Sequence, residues 1–362
     1  MHFPAVVVAT FASLAAAHPG HDHAAEVVER RQFIQNVARS DLGHCAEKLK
    51  ARGVEARAVQ RRKAIADAKA KRGITAREVA DKNKSHLSTA DYDLNTPLDV
   101  MFATNKSCLL SPEVTEGPYY VSGERIRRDL TEEEKGVALT VDIAVYDVDT
   151  CEPIPQSYIE IWSCNSTGIY SGVPSGANYT PAPQNLETSF LRGLQLSDSD
   201  GAVQFDTLYP GHYQGRTQHI HVIVHPNATA RENDTILDTT ASHVGQIYFD
   251  QALSDQVETY EPYASNTQAI TTNYDDMLID SSLATGDAMV NYVLLGEEVG
   301  DGLLAWISFG VNTTYGRAVN DAATYYEGGG VANSAGGRVA NSAGGRVANS
   351  ASRGRATPMW MR

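Results

Sequence analysis

Two histidines separated by one residue lie in an apolar stretch of the chain. The stretch from Gln218 to His225 reads Gln-His-Ile-His-Val-Ile-Val-His, which places the pair at His219 and His221. Side chains alternate along a β-strand, so both imidazoles would point to one face and the aliphatic side chains to the other. Two imidazoles on one face can form half of a metal site. The alternative is a pair of ordinary, half-exposed histidines.

Tyrosines are the oxygen donors that the sequence places near this pair. Tyr213 precedes His219 by six residues, across a Gly-containing turn, and Tyr170 lies farther upstream. A phenol ionises near pH ~10 in water, so only a strongly acidic cation would hold it as a phenolate at neutral pH. Two phenolates and two neutral imidazoles suit a hard trivalent ion, above all Fe(III).

A zinc-dependent hydrolase is a competing interpretation, with His219, His221 and His225 as the metal ligands. His225 would lie on the same face of the strand, but four residues beyond His221, which is far for a shared ion. The tyrosine motifs argue against this interpretation.

Several short motifs resemble, in order and spacing, those of the intradiol ring-cleavage dioxygenase family, which includes catechol 1,2-dioxygenases and protocatechuate 3,4-dioxygenases. The matching motifs are Glu116-Gly-Pro-Tyr-Tyr120, Trp162-x-x-Asn-x-x-Gly-x-Tyr170, Arg192-Gly-x-Gln with Asp198-x-Asp-Gly201, Pro210-Gly-x-Tyr213, Arg216-x-x-His-x-His221 and Gly245-Gln-Ile-Tyr-Phe249. Each motif is weak by itself, and their combination is specific. The start of the chain is similar to that of the secreted fungal branch of the family.

The resemblance implies one non-haem Fe(III) per chain, bound by Tyr170, Tyr213, His219 and His221. It also implies that Tyr213 leaves the metal when a catechol binds, and that it then takes up a substrate proton. The implied reaction uses dioxygen to cleave the catechol ring between the two hydroxyl-bearing carbons, which gives a muconate-type diacid.

The resemblance further assigns residues to the substrate. It implies that Arg216 and Gln246 are catalytic and contact the substrate, and that Pro118 and Tyr119 line its pocket. Trp162 is expected to belong to the core rather than to the chemistry. The alternative function is that of a secreted β-sandwich protein that binds a metal ion or an aromatic compound without turnover.

The elements that must position these residues are strands. Helical periodicity largely disappears from about residue 90 onwards, while Gly, Pro, Thr, Tyr and Val become frequent. This pattern predicts a mainly β fold with a β-sandwich catalytic core. The predicted strands cover residues 137–148, 157–162, 203–208, 218–225, 244–249, 288–295 and 303–309.

Five segments are expected along the chain. They are a signal peptide (1–17), a mobile His-containing segment (18–31), a helical arm (32–85), the intradiol dioxygenase-like β-sandwich domain (86–327) and a Gly/Ala/Ser-rich repeat tail (328–362). The arm is predicted to form one short helix with apolar residues at Phe33, Val37 and Leu42, and a second from Cys45 to Ala66, broken near Gly53. The tail repeats an octapeptide with few bulky side chains, which predicts disorder.

Charge bears on possible partners. The net charge of the chain is -14, yet residues 18–85 carry an excess of Lys and Arg over Asp and Glu. The remaining acidic body disfavours nucleic acid, and no apolar run after the N-terminus reaches membrane-spanning length. The basic arm is expected to expose a solvated face and to pack on the main body or on a sister subunit, which permits a homodimer.

The cysteines and glycosylation sequons fit a secreted, extracellular protein. An even number of cysteines permits two disulfides, and a Cys151–Cys164 bridge is expected because these residues flank a short apolar segment. Seven Asn-x-Ser/Thr sequons predict a glycoprotein. Asn165 is expected to stay unglycosylated, because a glycan there would crowd the site.

Overall fold

The computed structural model describes residues 42–69 and 117–333, apart from 176–180, 238–239, 242, 277, 280–286, 315, 320 and 327–328. The predicted signal peptide, the His-containing segment and Cys108 lie outside the described residues. So do residues 32–41 and 70–85 of the predicted arm and 334–362 of the predicted tail. The expectations for those segments stay predictions.

The described chain is mainly β, as predicted. The strands are β1 (Val121–Ser122), β2 (Ala138–Asp147), β3 (Tyr158–Trp162), β4 (Arg192–Leu196), β5 (Ala202–Leu208), β6 (His219–His225), β7 (Thr229–Ala230), β8 (Ile236–Leu237), β9 (Thr240–Ala241), β10 (His243–Tyr248), β11 (Asn291–Leu294), β12 (Leu303–Val311), β13 (Arg317–Ala318), β14 (Ala323–Tyr326) and β15 (Gly329–Ala332). The α-helices are α1 (Ala46–Ala51), α2 (Val54–Lys69) and α3 (Gln251–Val257), and short 3₁₀ turns occur at Gly43–Cys45, Pro183–Glu187, Tyr263–Ser265 and Val299–Asp301.

Two four-stranded sheets form the sandwich. The site sheet has the strand order β10-β6-β3-β4 and is antiparallel throughout. The back sheet has the order β11-β12-β2-β5, in which β12 and β2 run parallel and the other neighbours antiparallel. Aliphatic side chains from both sheets, such as Val222 of β6 and Ile143 of β2, belong to one hydrophobic core. The predicted β-sandwich is therefore confirmed.

The strand that carries the histidine pair alternates as its sequence requires. Ile220, Val222 and Val224 are fully buried in the core between the sheets. His219 and His221 consequently point to the outer face of the site sheet, because successive side chains on a strand alternate. Burial of the three aliphatic side chains fixes the register, since a shift by one residue would turn the histidines into the core.

The helical arm packs on the outer face of the back sheet. Ile65 and Ala66 of α2 share a buried cluster with Trp306 of β12, and Leu42 shares another with Tyr146 of β2. The two helices are separated at Gly53, whose φ of +67° is strained for other residues. The predicted break near Gly53 and the packing of the arm on the main body are thus confirmed.

The basic side chains of the arm do more than face solvent. Several of them pair with carboxylates of the sandwich: Arg52 with Glu152, Arg57 with Asp200, Arg61 and Arg62 with Asp142, and Lys69 with Asp206. Arg62 and Asp142 are both almost fully buried, and the Arg62 guanidinium lies 5.3 Å from the Trp306 ring centroid. The basic excess of the arm therefore complements the acidic excess of the body, which a purely solvated face would not do.

The expected Cys151–Cys164 disulfide is wrong. Cys151 is bonded to Cys45, which ties the arm to the sandwich, while Cys164 is a buried free thiol whose Sγ lies 3.2 Å from the carbonyl oxygen of Gly211. The extended strand β3 lies between Cys151 and Cys164 in the chain, and it holds the two residues apart. Cys45 lies opposite Cys151 because the arm folds back over the sheet.

The repeat segment begins inside the folded domain. The first copy of the octapeptide supplies β15, which pairs antiparallel with β14 in a small sheet of order β1-β14-β15. The predicted boundary at residue 328 therefore needs correction, because ordered structure continues to Ala332. Gly330 lies so close to the Pro183–Glu187 turn that a Cβ atom would overlap the carbonyl oxygen of Leu186.

No helix among the described residues is both long enough and apolar enough to cross a membrane.

The buried ion pair of the arm leads to a prediction. Asp142→Asn removes the charge opposite two guanidinium groups, and breaking a buried pair costs about 3–5 kcal/mol of unfolding free energy. Urea unfolding followed by circular dichroism measures this loss. Asp200→Asn is the matched control, and it should change stability little because its partner Arg57 is exposed. Equal effects of the two substitutions would contradict the assigned role of the buried pair.

Candidate active site

Four side chains converge on the outer face of the site sheet. The Oη of Tyr170 lies 3.4 Å from Nε2 of His219 and 3.3 Å from Nε2 of His221. The Oη of Tyr213 lies 3.4 Å from Nε2 of His219, and the two Nε2 atoms are 3.1 Å apart. The structure thus brings together the four side chains predicted as metal ligands, and all four are nearly fully buried.

A tight turn after β3 positions Tyr170. The Asn165 carboxamide accepts hydrogen bonds from the backbone N–H groups of Thr167 and Ile169, at 3.1 Å each. Its Nδ2 donates to Glu134 at 2.9 Å. Gly168 completes the turn with a φ of +79°. The Asn165 amide is buried and hydrogen-bonded, and the expectation that this sequon carries no glycan stays a prediction.

A hydrogen bond from Nδ1 fixes the orientation of the His219 ring. Its Nδ1–H donates to the carbonyl oxygen of Thr217 at 2.6 Å, which leaves the lone pair of Nε2 directed at the tyrosines. Burial, with a smaller contribution from Arg216, lowers the pKa of His219 to about 3. The ring is therefore neutral, as a metal ligand must be. Trp162 stacks on His221 with ring centroids 4.6 Å apart, so this core residue also orients a ligand.

The two phenols need a cation to become anionic. Burial raises the pKa of Tyr170 and of Tyr213 well above the ordinary value, so both hydroxyls are protonated in the protein alone. Only a small, highly charged cation among these four donors would displace the protons. The donor set therefore fits a hard trivalent ion such as Fe(III), and it fits zinc poorly.

Arg216 forms a buried network beside the four donors. Its Nε donates to Oδ2 of Asp276 at 2.9 Å, and its Nη2 donates to Oε1 of Gln246 at 2.5 Å. The hydroxyl of Tyr248 donates to the same Gln246 oxygen at 2.7 Å. Burial alone would lower the pKa of the Arg216 guanidinium, but the Asp276 carboxylate leads a set of interactions that together outweigh burial and raise it. The site therefore contains a permanent cation of fixed orientation.

The segment before β1 covers the site. The Tyr119 ring stacks on Tyr170 with centroids 4.2 Å apart, and it meets Tyr213 edge-on at 6.0 Å. Pro118 lies next to it and is half-buried. Gly117, with a φ of +75°, passes close to the His221 ring, and an added Cβ atom would lie 3.5 Å from its Cε1. Tyr119 thus lies against both phenols and Pro118 is its neighbour in the chain, and their role as pocket-lining residues stays a prediction.

His225 does not join the four donors. Its Nε2 lies 3.0 Å from Oε2 of Glu160, and its Nδ1 lies 3.1 Å from the carbonyl oxygen of Thr240. The zinc-hydrolase interpretation, which required His225 as a ligand, has no support in this geometry.

Some site residues were missed from the sequence. Asp276 and Thr217 carry no motif of their own, and Asp276 is 60 residues from its partner Arg216. Tyr248 belongs to the Gly245–Phe249 motif, but the motif assigns it no role. The alternation of β10 could have indicated it, because Tyr248 falls on the same face as Gln246 and is paired with His219.

The sandwich and this buried cluster indicate a dioxygenase of the intradiol type, and comparisons with known proteins agree. The model of a family described as Dioxygenase matches residues 115–269, a range that contains all four converging side chains. A catechol 1,2-dioxygenase from Acinetobacter baylyi is 28% identical over 119 residues, which cover 30% of this chain and 36% of that relative's length. The chain thus spans about a third of this curated relative.

Solved structures supply further relatives. An intradiol ring-cleavage dioxygenase from Tetranychus urticae is 33% identical, with 56% of this chain and 94% of that chain covered and a TM-score of 0.47. The dioxygenase domain of a dioxygenase–carbohydrate-binding protein fusion from Streptomyces sp. SirexAA-E is 25% identical, with 58% and 99% covered and a TM-score of 0.35. By its sequence identity to the first of these over nearly that whole chain, the protein belongs to the intradiol ring-cleavage dioxygenase family.

The turn before Tyr170 leads to a second prediction. In Gly168→Ala, the new Cβ atom would overlap Nε2 of Gln268 and the carbonyl oxygen of His212, at a φ that costs about 1–2 kcal/mol for other residues. We expect a lower melting temperature and a lower iron-to-protein ratio, because the same atom also presses on Tyr213. Gly316→Ala is the control, since the nearest atom to its Cβ would be 4.0 Å away. Wild-type iron content in Gly168→Ala would contradict the role of this turn.

Proposed function

We propose that this protein is a secreted, non-haem Fe(III) dioxygenase that opens a catechol ring between its two hydroxyl-bearing carbons and forms a muconate-type diacid. The observation that carries the proposal is the convergence of two phenol oxygens and two imidazole nitrogens, which four contacts of 3.1–3.4 Å link to one another. Both oxygen atoms of dioxygen end in the product, so the reaction needs no external reductant.

Tyr170, Tyr213, His219 and His221 would hold the ion. When bound, ferric iron would supply a Lewis acid that binds the catechol oxygens and activates the ring towards dioxygen. Tyr213 lies in a turn rather than in a strand, where Arg216 N–H donates to its carbonyl oxygen. Its phenolate would take up one of the two substrate protons when the catechol binds.

Arg216 and Gln246 would act on the substrate itself. A guanidinium of fixed position stabilises negative charge on the catecholate ring, because its donors are already oriented before the reaction. Gln246 holds Nη2 of Arg216 and is itself held by Tyr248. Tyr119 closes the site over Tyr170 and excludes water from it.

Two features support an extracellular location. The Cys45–Cys151 disulfide is typical of proteins from oxidising compartments. The sequon residues Asn227 and Asn233 lie on the surface, where a glycan would find room. A homodimer through the arm stays a prediction, and the described arm helices bury apolar side chains against their own sandwich.

A visible spectrum and an oxygen electrode test the function directly. The iron-loaded protein should be red to burgundy through ligand-to-metal charge transfer, and it should consume dioxygen with catechol. With ¹⁸O₂, both labelled atoms should appear in the ring-opened diacid. Colour without oxygen uptake over a panel of catechols would favour the alternative, a protein of the same fold that binds without turnover.

Tyr170→Phe should bleach the protein and lower its iron content, because it removes one of the two phenolate ligands. Absorbance and iron analysis measure both effects. Tyr209→Phe is the matched control, since Tyr209 is an equally buried tyrosine whose hydroxyl contacts Ser254 in the core. If the colour of Tyr170→Phe were unchanged, Tyr170 would not be a ligand.

Arg216→Ala should retain iron but lower kcat by about 10²–10³-fold, the usual cost of removing one preorganised stabiliser of transition-state charge. Steady-state oxygen uptake with matched iron analysis measures this. The control is Arg231→Ala, which removes an exposed arginine from a surface turn. Near-normal turnover in Arg216→Ala would exclude Arg216 from the mechanism.

A further inference from the structure

A buried carboxylate lies behind the candidate active site. Asp276 follows the segment matched by the family model, which ends at residue 269, and only 2% of it is exposed. An isolated buried charge is costly, so its surroundings must compensate it. The groups that compensate the charge of Asp276 are Arg216 and the backbone of Thr217, which belong to the candidate active site.

One oxygen of Asp276 accepts two hydrogen bonds. Its Oδ2 lies 2.9 Å from Nε of Arg216 and 3.0 Å from the backbone nitrogen of Thr217. Its Oδ1 accepts a hydrogen bond from the backbone N–H of Leu278 at 2.8 Å, which fixes the rotation of the carboxylate. Burial raises the pKa of Asp276, but the Arg216 charge leads a set of interactions that outweigh burial and lower it. Asp276 is therefore ionised.

Two chains of contacts lead from this oxygen to the reacting region. Through the Arg216 guanidinium it reaches Gln246, whose Oε1 lies 2.5 Å from Nη2. Through the backbone of Thr217 it reaches His219, because the carbonyl of the same residue accepts the Nδ1–H at 2.6 Å. The same carboxylate thus restrains both the fixed cation and the residue whose carbonyl sets the tautomer of His219.

We propose that Asp276 is a positioning residue that orients Arg216 and His219 together, and that its charge makes the site select neutral catechols over carboxylated ones. The selectivity follows because Arg216 and Asp276 together carry no net charge. The guanidinium still stabilises a catecholate ring that it contacts, whereas a more distant substituent meets the pair as a whole. A ring substituent that carries a carboxylate therefore gains little from Arg216 and is repelled by Asp276. The inference rests on the proposed function for the identity of the substrate.

The test compares Asp276→Asn with Asp275→Asn in the iron-loaded protein. Asp275 is the adjacent, exposed residue of the same loop, and its carboxylate accepts a hydrogen bond from the Thr272 hydroxyl at 2.6 Å, away from Arg216 and Thr217. Both substitutions remove one negative charge and keep the side-chain shape. Calorimetry with phenol and 4-hydroxybenzoate gives the two dissociation constants, and oxygen uptake gives kcat.

We expect Asp276→Asn to lower kcat at least tenfold at unchanged iron content, and to shift the ratio of the two dissociation constants at least fivefold in favour of 4-hydroxybenzoate. Asp275→Asn should change neither quantity. A merely structural role would lower stability without shifting the ratio. An unshifted ratio or a wild-type kcat in Asp276→Asn would overturn the proposal.

Asp276→Glu provides a second variant in case Asp276→Asn does not fold. It keeps the charge but displaces the carboxylate by one methylene, so kcat should fall while the ratio of dissociation constants stays that of the wild type. A wild-type kcat here would overturn the positioning role. Inactivity of the wild-type protein would refute the proposed function, and the calorimetric ratio, which does not depend on turnover, would still support or overturn the selectivity assigned to Asp276.

Discussion

The burial of two phenols against two imidazoles on one face of a β-sheet is the constraint on which the site depends. The two phenols lie 3.3–3.4 Å from imidazole nitrogens, away from water, and they hold protons that only a strongly acidic cation can replace. The sheet provides the rigidity for this arrangement. Since the opposite face of β6 fills the core, the histidines cannot turn away without exposing aliphatic side chains.

The surroundings of the four donors give each of them an orientation. Trp162 stacks on His221, Tyr119 stacks on Tyr170, and the peptide of Thr217 sets the free nitrogen of His219. These contacts come from strands, turns and the segment before β1, which are distant in sequence. The precision of the site is therefore a property of the packed domain rather than of its motifs.

Much of this could be predicted from the sequence, because it depends on local periodicity. The alternation around His219 fixes its face, and the strand bounds follow from short apolar runs between turn residues. The Cys45–Cys151 bridge could not be predicted, since a pairing across 106 residues depends on how the arm folds back. The same holds for Asp276, whose neighbours give no sign that it meets Arg216. The basic excess of the arm could be recognised from the sequence, but the carboxylates that pair with it come close to it only in the folded chain.

The contact between Gly330 and Leu186 has a consequence for the tandem octapeptides. Repeated copies invite slippage, in which a later copy takes the place of the first and the chain shifts by eight residues. In the second and third copies, however, the residue equivalent to Gly330 is arginine, at positions 338 and 346. No side chain fits against the Leu186 carbonyl, so the small sheet distinguishes three nearly identical segments by one missing Cβ atom. Only the first copy can therefore form this edge strand, although nearly the same sequence occurs three times in the chain.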